Sequence, residues 1–218
     1  MLSRVHVVGR GRVGRALAAR LDERQLLNDQ TPDLVLLCVP DRAIAEVAAA
    51  IAEGPWVAHV SGAMPLVTLS PHRQRFGVHP LQTFTTARGP EQIDGAWAAV
   101  TAETTEGARV GRWLAGALGL RPFDLNDEAR ALYHAGAVFA SNYLVTLYRA
   151  AARVMAAAGA PPEALVPLMQ RTIDNGFDLT GPIARGDWAT VHAHLAALDE
   201  HLPDLAGLYR ALAEATRP

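Results

Sequence analysis

The sequence predicts an α/β domain built on a mostly parallel sheet, followed by an all-helical domain. Three observations carry this. An apolar, β-branched run leads through a glycine-rich turn into a helix (Val5 to Ala18). A second apolar run, Leu34 to Val39, is continuous rather than alternating, as a parallel strand covered on both faces should be. Shorter apolar runs then alternate with helical stretches as far as Leu125, beyond which no strand-like run remains. The expected domains are therefore residues 1–125 and 126–218.

The first turn reads Gly9-Arg10-Gly11-Arg12-Val13-Gly14, a G-x-G-x-x-G pattern between strand and helix. In that context each glycine has a physical task. Gly9 permits a tight turn, Gly11 lets the backbone approach a pyrophosphate, and Gly14 lets the helix pack close to the strand. The helix N-terminus then faces the phosphates, where its dipole favours negative charge. Gly9, Arg10, Gly11, Arg12, Val13 and Gly14 are thus the candidate dinucleotide-binding residues of a Rossmann-like domain, with NADP or NAD as cofactor. Arg10, Arg12 and Arg24 could reach phosphates, or could simply be solvated surface cations.

The next segment, Leu21 to Pro32, is too short for a full second strand plus a crossover helix. Gln25 to Leu27 has room for one short strand, with Asn28 or Asp29 at its end. The sheet domain is therefore a shortened one, and its adenosine pocket looks truncated. After Leu34 to Val39, Pro40 stops the strand and Asp41 can cap a helix from Arg42 to Glu53. Strands are expected at Trp56 to Val60, Arg75 to His79, Trp97 to Thr101 and Arg121 to Phe123, with a helix from Glu106 to Leu118.

In the second domain Asn126 resembles an N-cap, and helical sequence runs to Ala158, interrupted only by Gly136. Gly159 is a stop. Pro161-Pro162-Glu163 opens a helix to about Asn175, Asp187 caps another to about Asp199, and Pro203 opens the last.

Composition excludes several classes. Half of the 218 residues are hydrophobic and the net charge is −2, so the chain should be globular, with neither nucleic acid nor an acidic membrane as partner. No long uncharged run could span a bilayer. The sheet domain's strand starts at once, leaving no room for a signal peptide, so a cytoplasmic protein is expected. There is no lysine at all, which excludes Schiff-base chemistry and any lysine acid or base. Cys38 is the single cysteine and sits in an apolar run, as a buried small hydrophobe would. The eight histidines are scattered, and no metal site is expected.

In open α/β sheets ligands sit beyond the carboxyl ends of the strands. Those ends carry Val39-Pro40-Asp41, His59-Val60-Ser61-Gly62-Ala63 and His79-Pro80-Leu81-Gln82. Val39, Pro40 and Ser61 would line the nicotinamide side. His79 could donate a proton to a carbonyl oxygen while hydride arrives at its carbon, or could brace the turn at Pro80. Ser61 could equally be a turn-forming serine, and His59, inside its strand, is better read as buried. On the long helix His134, Val138, Ser141, Asn142, Val145 and Arg149 share one face by i+3, i+4 and i+7 spacing, and His134, Ser141 and Asn142 interrupt an otherwise apolar stretch. Asn142 can both donate and accept, so it could orient a substrate, with His134 beside it. Arg185 could bind a carboxylate, or merely lie in a turn that Asp187 caps.

Taken together, the glycine turn, His59-Val60-Ser61-Gly62-Ala63, His79-Pro80-Leu81-Gln82-Thr83-Phe84, Tyr133-His134-Ala135, Ala140-Ser141-Asn142-Tyr143 and Leu179 to Asp187 resemble one bacterial family. It comprises Rossmann-like oxidoreductases whose helical second domain is catalogued as a domain of unknown function. It is similar to the 6-phosphogluconate dehydrogenase and pyrroline-5-carboxylate reductase superfamily. The resemblance implies NAD(P) in the sheet domain, a helical domain that often mediates dimers, and a small-molecule substrate. Some relatives are linked to ketopantoate reduction, and Ser61 with His79 looks like the serine and histidine-proline motifs of prephenate dehydrogenases. The expected function is NAD(P)-dependent reduction of a small carbonyl acid by a homodimer, with Ser61, His79, His134 and Asn142 as catalytic candidates. The shortened Leu21 to Pro32 segment motivates the alternative, a degenerate nucleotide-binding or interaction module without catalysis.

Overall fold

The computed structural model describes residues 2–217. They form two compact units, one ending at Phe139 and one beginning at Ala140. The first holds six strands: β1 (Val5–Val8), β2 (Leu34–Leu37), β3 (Trp56–His59), β4 (Arg75–Leu81), β5 (Trp97–Thr101) and β6 (Arg121–Asp124). They lie in one sheet in sequence order. β1 to β4 are parallel, β5 runs antiparallel to β4, and β6 is parallel to β5.

Beyond β1, Leu27 makes a single parallel bridge to Val5. Val5 donates its N–H to Leu26 (2.7 Å) and accepts one from Asn28 (2.9 Å). The short strand expected at Gln25 to Leu27 is thus reduced to one bridge, with Asn28 and Asp29 just past it. The chain leaves β1 on one side and returns to pair β2 on the other. The end of β1 is therefore the point where strand order reverses, which is where open α/β sheets bind ligands.

The helices follow from capping and periodicity. α1 (Arg12–Glu23) starts at the glycine turn and buries Leu17 and Leu21 against Leu34, Leu36, Phe76 and Val78. α3 (Thr105–Ala117) adds Val110 and Leu114 to that layer. On the opposite face α2 (Ile44–Ala49) sets Ile44 and Ala48 over Val35, Leu37 and Val57. α2 is shorter than the expected 42–53: Asp41–Ala43 is a 3-10 turn, and Gly54 (φ +135°) followed by Pro55 cannot continue a helix. Thr104 caps α3, its hydroxyl accepting the Gly107 N–H at 3.0 Å. Thr104→Ala should destabilise the protein by about 1 kcal/mol. The readout is a lower urea midpoint at unchanged slope, and an unchanged midpoint would mean that the cap contributes nothing to stability.

The expected long helix is two. After a 3-10 turn at Asp127–Ala129 comes α4 (Arg130–Val138), then a π-helical segment, Phe139–Tyr143, then α5 (Leu144–Ala157). One wide turn adds a residue to the helical repeat, so the 3.6-residue spacing that groups His134 with Asn142 does not run unbroken between them. The second unit continues with α6 (Leu165–Asp174), α7 (Trp188–His201) and α8 (Pro203–Ala215). Asp187 caps α7, accepting from the Thr190 N–H (3.1 Å) and hydroxyl (2.7 Å).

Candidate functional site

The glycine turn has the spatial demands that its sequence implies. Gly9 has φ +108°, and a Cβ there would strike the Cys38 carbonyl group. A Cβ on Gly14 would strike the Gly9 carbonyl oxygen. These two glycines are required by the protein's own packing. Gly11 is different: a Cβ there meets nothing within 4 Å. It is exposed and opens α1 with no side-chain cap and no acidic residue in the first turn, leaving the N-terminal N–H groups for an anion.

Beside the turn lies a cleft of about 570 Å³ lined by His6, Gly9, Arg10, Arg15, Asn28 and Asp29, among others. The bridge at Leu27 thus brings Asn28 and Asp29 to the same cleft as the glycine turn. Asn28 Oδ1 accepts from the Gln30 N–H (3.0 Å), which fixes the loop. Arg10 lines this cleft, whereas Arg12 lines a separate cavity of about 130 Å³ with Arg88 and Gln92. Val13 and Val39 pack against the two core layers, and Pro40 is exposed. Bare glycine backbone, free helix N–H groups and an adjoining cleft with cationic side chains fit a dinucleotide's pyrophosphate.

A second group of residues gathers where α4 crosses the sheet. His59 on β3 pairs with Gly77 on β4, and Gly77 with Thr101 on β5. Residues two apart on a strand share a face, so His59, Gly77, His79 and Thr101 point the same way. The missing side chain of Gly77 leaves a hole that the Arg130 guanidinium fills. A Cβ on Gly77 would lie 2.9 Å from Arg130 Nη1 and 3.3 Å from His59 Cε1. Arg130 is buried; its Nη1 donates to the Thr101 hydroxyl at 2.8 Å and its Nη2 to the Ser61 carbonyl oxygen. Asp127, its ion-pair partner, stands 4.0 Å from Nε and accepts the Leu66 N–H through both oxygens at 3.1 Å.

One helical turn further along α4, Tyr133 and His134 reach His79. The Tyr133 hydroxyl and His79 Nδ1 are hydrogen-bonded at 2.7 Å. The His134 ring lies edge-on to that of His79, centroids 6.0 Å apart. Gly62 sits against both: a Cβ there would lie 2.6 Å from His134 Cδ2 and 2.9 Å from His79 Nε2. The Ser61 hydroxyl accepts the Ala63 (3.2 Å) and Met64 (3.1 Å) N–H groups, so it shapes the turn over the imidazoles and keeps its own proton to donate.

Burial governs the electrostatics here. It lowers the pKa of His79 to about 4, helped by His134 and Arg130. It lowers that of His59 to about 3, with Arg130 and His79 contributing. Tyr133 is raised to about 12 by burial, against the opposing pull of Arg130. At neutral pH both imidazoles are therefore uncharged and the phenol keeps its proton. The Cys38 thiol is pushed up to about 12 by burial and is inert, matching its expected core role.

Of the four catalytic candidates, Ser61, His79 and His134 come together in the first unit. Asn142 lies in the second unit, exposed in the π-helical segment, its side-chain oxygen accepting from the Ser141 hydroxyl at 3.0 Å. His59 is fully buried, as expected, and neither ring nitrogen has a hydrogen-bond partner among the described residues. Arg185 is exposed in its loop. Sequence reasoning passed over Arg130 and gave Tyr133 no role. The available signal was their i, i+3 and i+4 spacing with His134, which puts all three on one face of α4. Among the described residues no cluster of histidine, cysteine or carboxylate side chains could hold a metal, and no helix is long and apolar enough to cross a membrane.

A family model, "Domain of unknown function (DUF2520)", matches residues 96–216, more than half of the chain. The chain belongs to the DUF2520 family. The match begins in the sheet unit, just before β5, so the DUF2520 region takes in β5, α3, β6 and the site-forming α4 as well as the helices that follow. Among curated proteins none matches the sequence. Solved structures share the fold of this DUF2520 protein. A protein from Bacteroides fragilis described as a candidate NADP oxidoreductase has a TM-score of 0.81 at 23% identity, over 98% of this chain and 97% of its own. Protein TM1727 from Thermotoga maritima has a TM-score of 0.73 at 23% identity, covering 98% of this chain and 100% of that one. Pyrroline carboxylate reductase from Plasmodium falciparum, solved with NADP bound, has a TM-score of 0.61 at 12% identity over 97% and 94%. The expected architecture, a shortened Rossmann-like sheet domain with a helical C-terminal part, is the one the chain has.

Proposed function

We propose that the protein is an NAD(P)-dependent oxidoreductase that reduces the carbonyl of a small oxo acid, with ketopantoate the first substrate to try. The observation that carries the reading is Gly11: bare, exposed backbone opening a helix, at the point where strand order reverses, beside a cleft of about 570 Å³. The B. fragilis and P. falciparum structures, named for NADP, support the cofactor class. Gly9, Gly11, Gly14 and the α1 N-terminus hold the pyrophosphate, Arg10 adds positive charge, and Asn28 and Asp29 face the adenosine end. The cofactor, when bound, supplies hydride. His79 works as a neutral hydrogen-bond donor to the carbonyl oxygen rather than as an imidazolium, because its pKa of about 4 leaves about one molecule in a thousand protonated at pH 7. His134 borders that oxygen's position, and the Ser61-Gly62 turn shapes it.

The working unit is a homodimer made through the helical unit. α5 and α6 bury no residue completely, and Val166, Leu168, Phe177 and Leu179 are all more than half exposed. An apolar groove of about 700 Å³ runs between α5, α7 and α8, lined by Leu147, Val154, Leu198, Leu205 and Leu212. An exposed apolar surface of this kind favours burial against a second copy. Sedimentation should give twice the chain mass, and a monomer at micromolar concentration would refute the dimer.

Nicotinamide fluorescence of NADH and NADPH titrated with the protein tests the cofactor, followed by a screen of oxo acids. His79→Ala should lower turnover by about a hundredfold or more while changing dinucleotide affinity less than about threefold. Equal turnover in the variant would remove His79 from the chemistry. No saturable binding of either dinucleotide would favour a non-catalytic module.

A further inference from the structure

We propose that Tyr133 acts through His79: its phenol donates to His79 Nδ1, fixes the imidazole in the tautomer with its proton on Nε2, and replaces that proton when it leaves. The inference rests on the oxidoreductase reading above and adds to it a second proton-handling group.

The geometry is specific. The 2.7 Å contact joins a group on β4 to one on α4, and the Tyr133 ring is held from both sides. It meets His79 edge-on at 5.5 Å between centroids and Phe123 of β6 at 5.9 Å, and Phe123 leans in turn on Trp97 at 6.3 Å. Two arrangements of the bond are possible in principle. If His79 donated, its Nε2 would carry only a lone pair, and no donor would face the place beside Gly62. If Tyr133 donates, Nε2 carries a hydrogen on the edge of the ring that approaches Gly62, where a Cβ would stand 2.9 Å away. Both groups are uncharged through the neutral range, the phenol raised to about 12 and the imidazole lowered to about 4, so the phenol has a proton to give and the tautomer with its proton on Nε2 has an Nδ1 lone pair to receive it.

The surroundings also explain why a relay suits this site better than a stored charge. Tyr133, His134 and Arg130 face His79 from α4, and His59 faces it from β3. Arg130 is a permanent cation within that group, so a second positive charge on His79 is opposed by burial and by repulsion together. A proton passed along the ring leaves the imidazole neutral throughout. Hydride enters the carbonyl carbon, the C–O π pair takes the Nε2 proton to form the hydroxyl, and Nδ1 takes the phenolic proton. The pair then resets: Nδ1 returns its proton to the phenolate, and Nε2 takes a new proton from water, which leaves as hydroxide. The substrate gains one hydride and one proton, and Tyr133 and His79 both end as they began.

The first test needs neither cofactor nor substrate. Proton-coupled nitrogen NMR of the wild-type protein reports which nitrogen of His79 carries hydrogen. Nε2–H is expected, and Nδ1–H would overturn the proposal. The second test is Tyr133→Phe, which keeps the ring contacts and removes only the hydroxyl. Dinucleotide affinity should stay within about twofold, while turnover near pH 8 falls by about a hundredfold. Turnover of the variant should recover in part near pH 5, where the imidazolium can serve as the acid, a rise that the wild type does not show. Unchanged turnover with an unchanged pH profile would overturn the relay. Failure of the oxidoreductase reading registers separately, as absent dinucleotide binding, and leaves the tautomer measurement to judge the Tyr133–His79 pair.

Discussion

Replacing Gly11 with valine should abolish dinucleotide binding while leaving the fold intact, and replacing Gly14 with valine should do the reverse damage first. The two glycines belong to one motif, yet the chain needs them for different reasons. At Gly11 a side chain meets no protein atom within 4 Å, and its φ of −69° and ψ of −173° suit any residue. Valine there should cost about 1 kcal/mol, since glycine is the better N-cap of the two but no side-chain cap hydrogen bond is lost. The added methyl groups would occupy the space through which the pyrophosphate reaches the helix N-terminus, and affinity for NADH or NADPH should fall by at least about a hundredfold. At Gly14 the first atom of any side chain collides with the Gly9 carbonyl. The helix would have to move off β1, and overpacking of this kind costs about 1–3 kcal/mol or more. Thermal melting and nicotinamide fluorescence on both variants separate the cases. If Gly11→Val bound either cofactor as well as the wild type, the turn would not be the phosphate site and the oxidoreductase reading would lose its main support.

Much of this was legible in the sequence because the signals are local. A continuous apolar run such as Leu34 to Val39 announces a buried parallel strand, and the Gly9 to Gly14 spacing announces a turn whose close contacts are made by backbone alone. The length of Leu21 to Pro32 sufficed to foresee a reduced strand, which is present as the single Leu27–Val5 bridge. Two features were out of reach for identifiable reasons. The wide turn at Phe139–Tyr143 contains no proline or glycine to announce it, so the sequence alone runs the long helix, and the face linking His134 to Asn142, straight through it. The Arg130 cluster is non-local: it depends on Gly77 of β4 lying between His59 of β3 and Thr101 of β5, a register that no single segment encodes. An arginine at the start of a helix reads as a solvated charge until the hole that receives it is known.

That hole gives the second large effect, a coupling between Gly77 and Arg130. Gly77→Ala would set a methyl group 2.9 Å from Arg130 Nη1, and the guanidinium cannot easily yield, because Thr101 and the Ser61 carbonyl hold it from two sides. The substitution should destabilise the protein by about 2 kcal/mol. Arg130→Met removes the obstructing atoms. It leaves the Thr101 hydroxyl and Ser61 carbonyl without their donor, at about 1–3 kcal/mol each, offset in part by release of a buried cation that has only a distant carboxylate. In the double variant the alanine methyl enters space that the guanidinium has vacated, so the two losses should not add. The shortfall should be about 1–3 kcal/mol by urea denaturation of the four proteins. Additivity within about 0.5 kcal/mol would mean that the guanidinium does not occupy the Gly77 hole in solution. The same cycle bears on function. Arg130 carries the strut that holds the Ser61-Gly62 turn over His79 and His134, so Arg130→Met should impair turnover more than its stability loss predicts, with cofactor affinity little changed. If stability and turnover fell together in proportion, Arg130 would be a core residue only, and the turn over the imidazoles would be held by Ser61 and Asp127 without it.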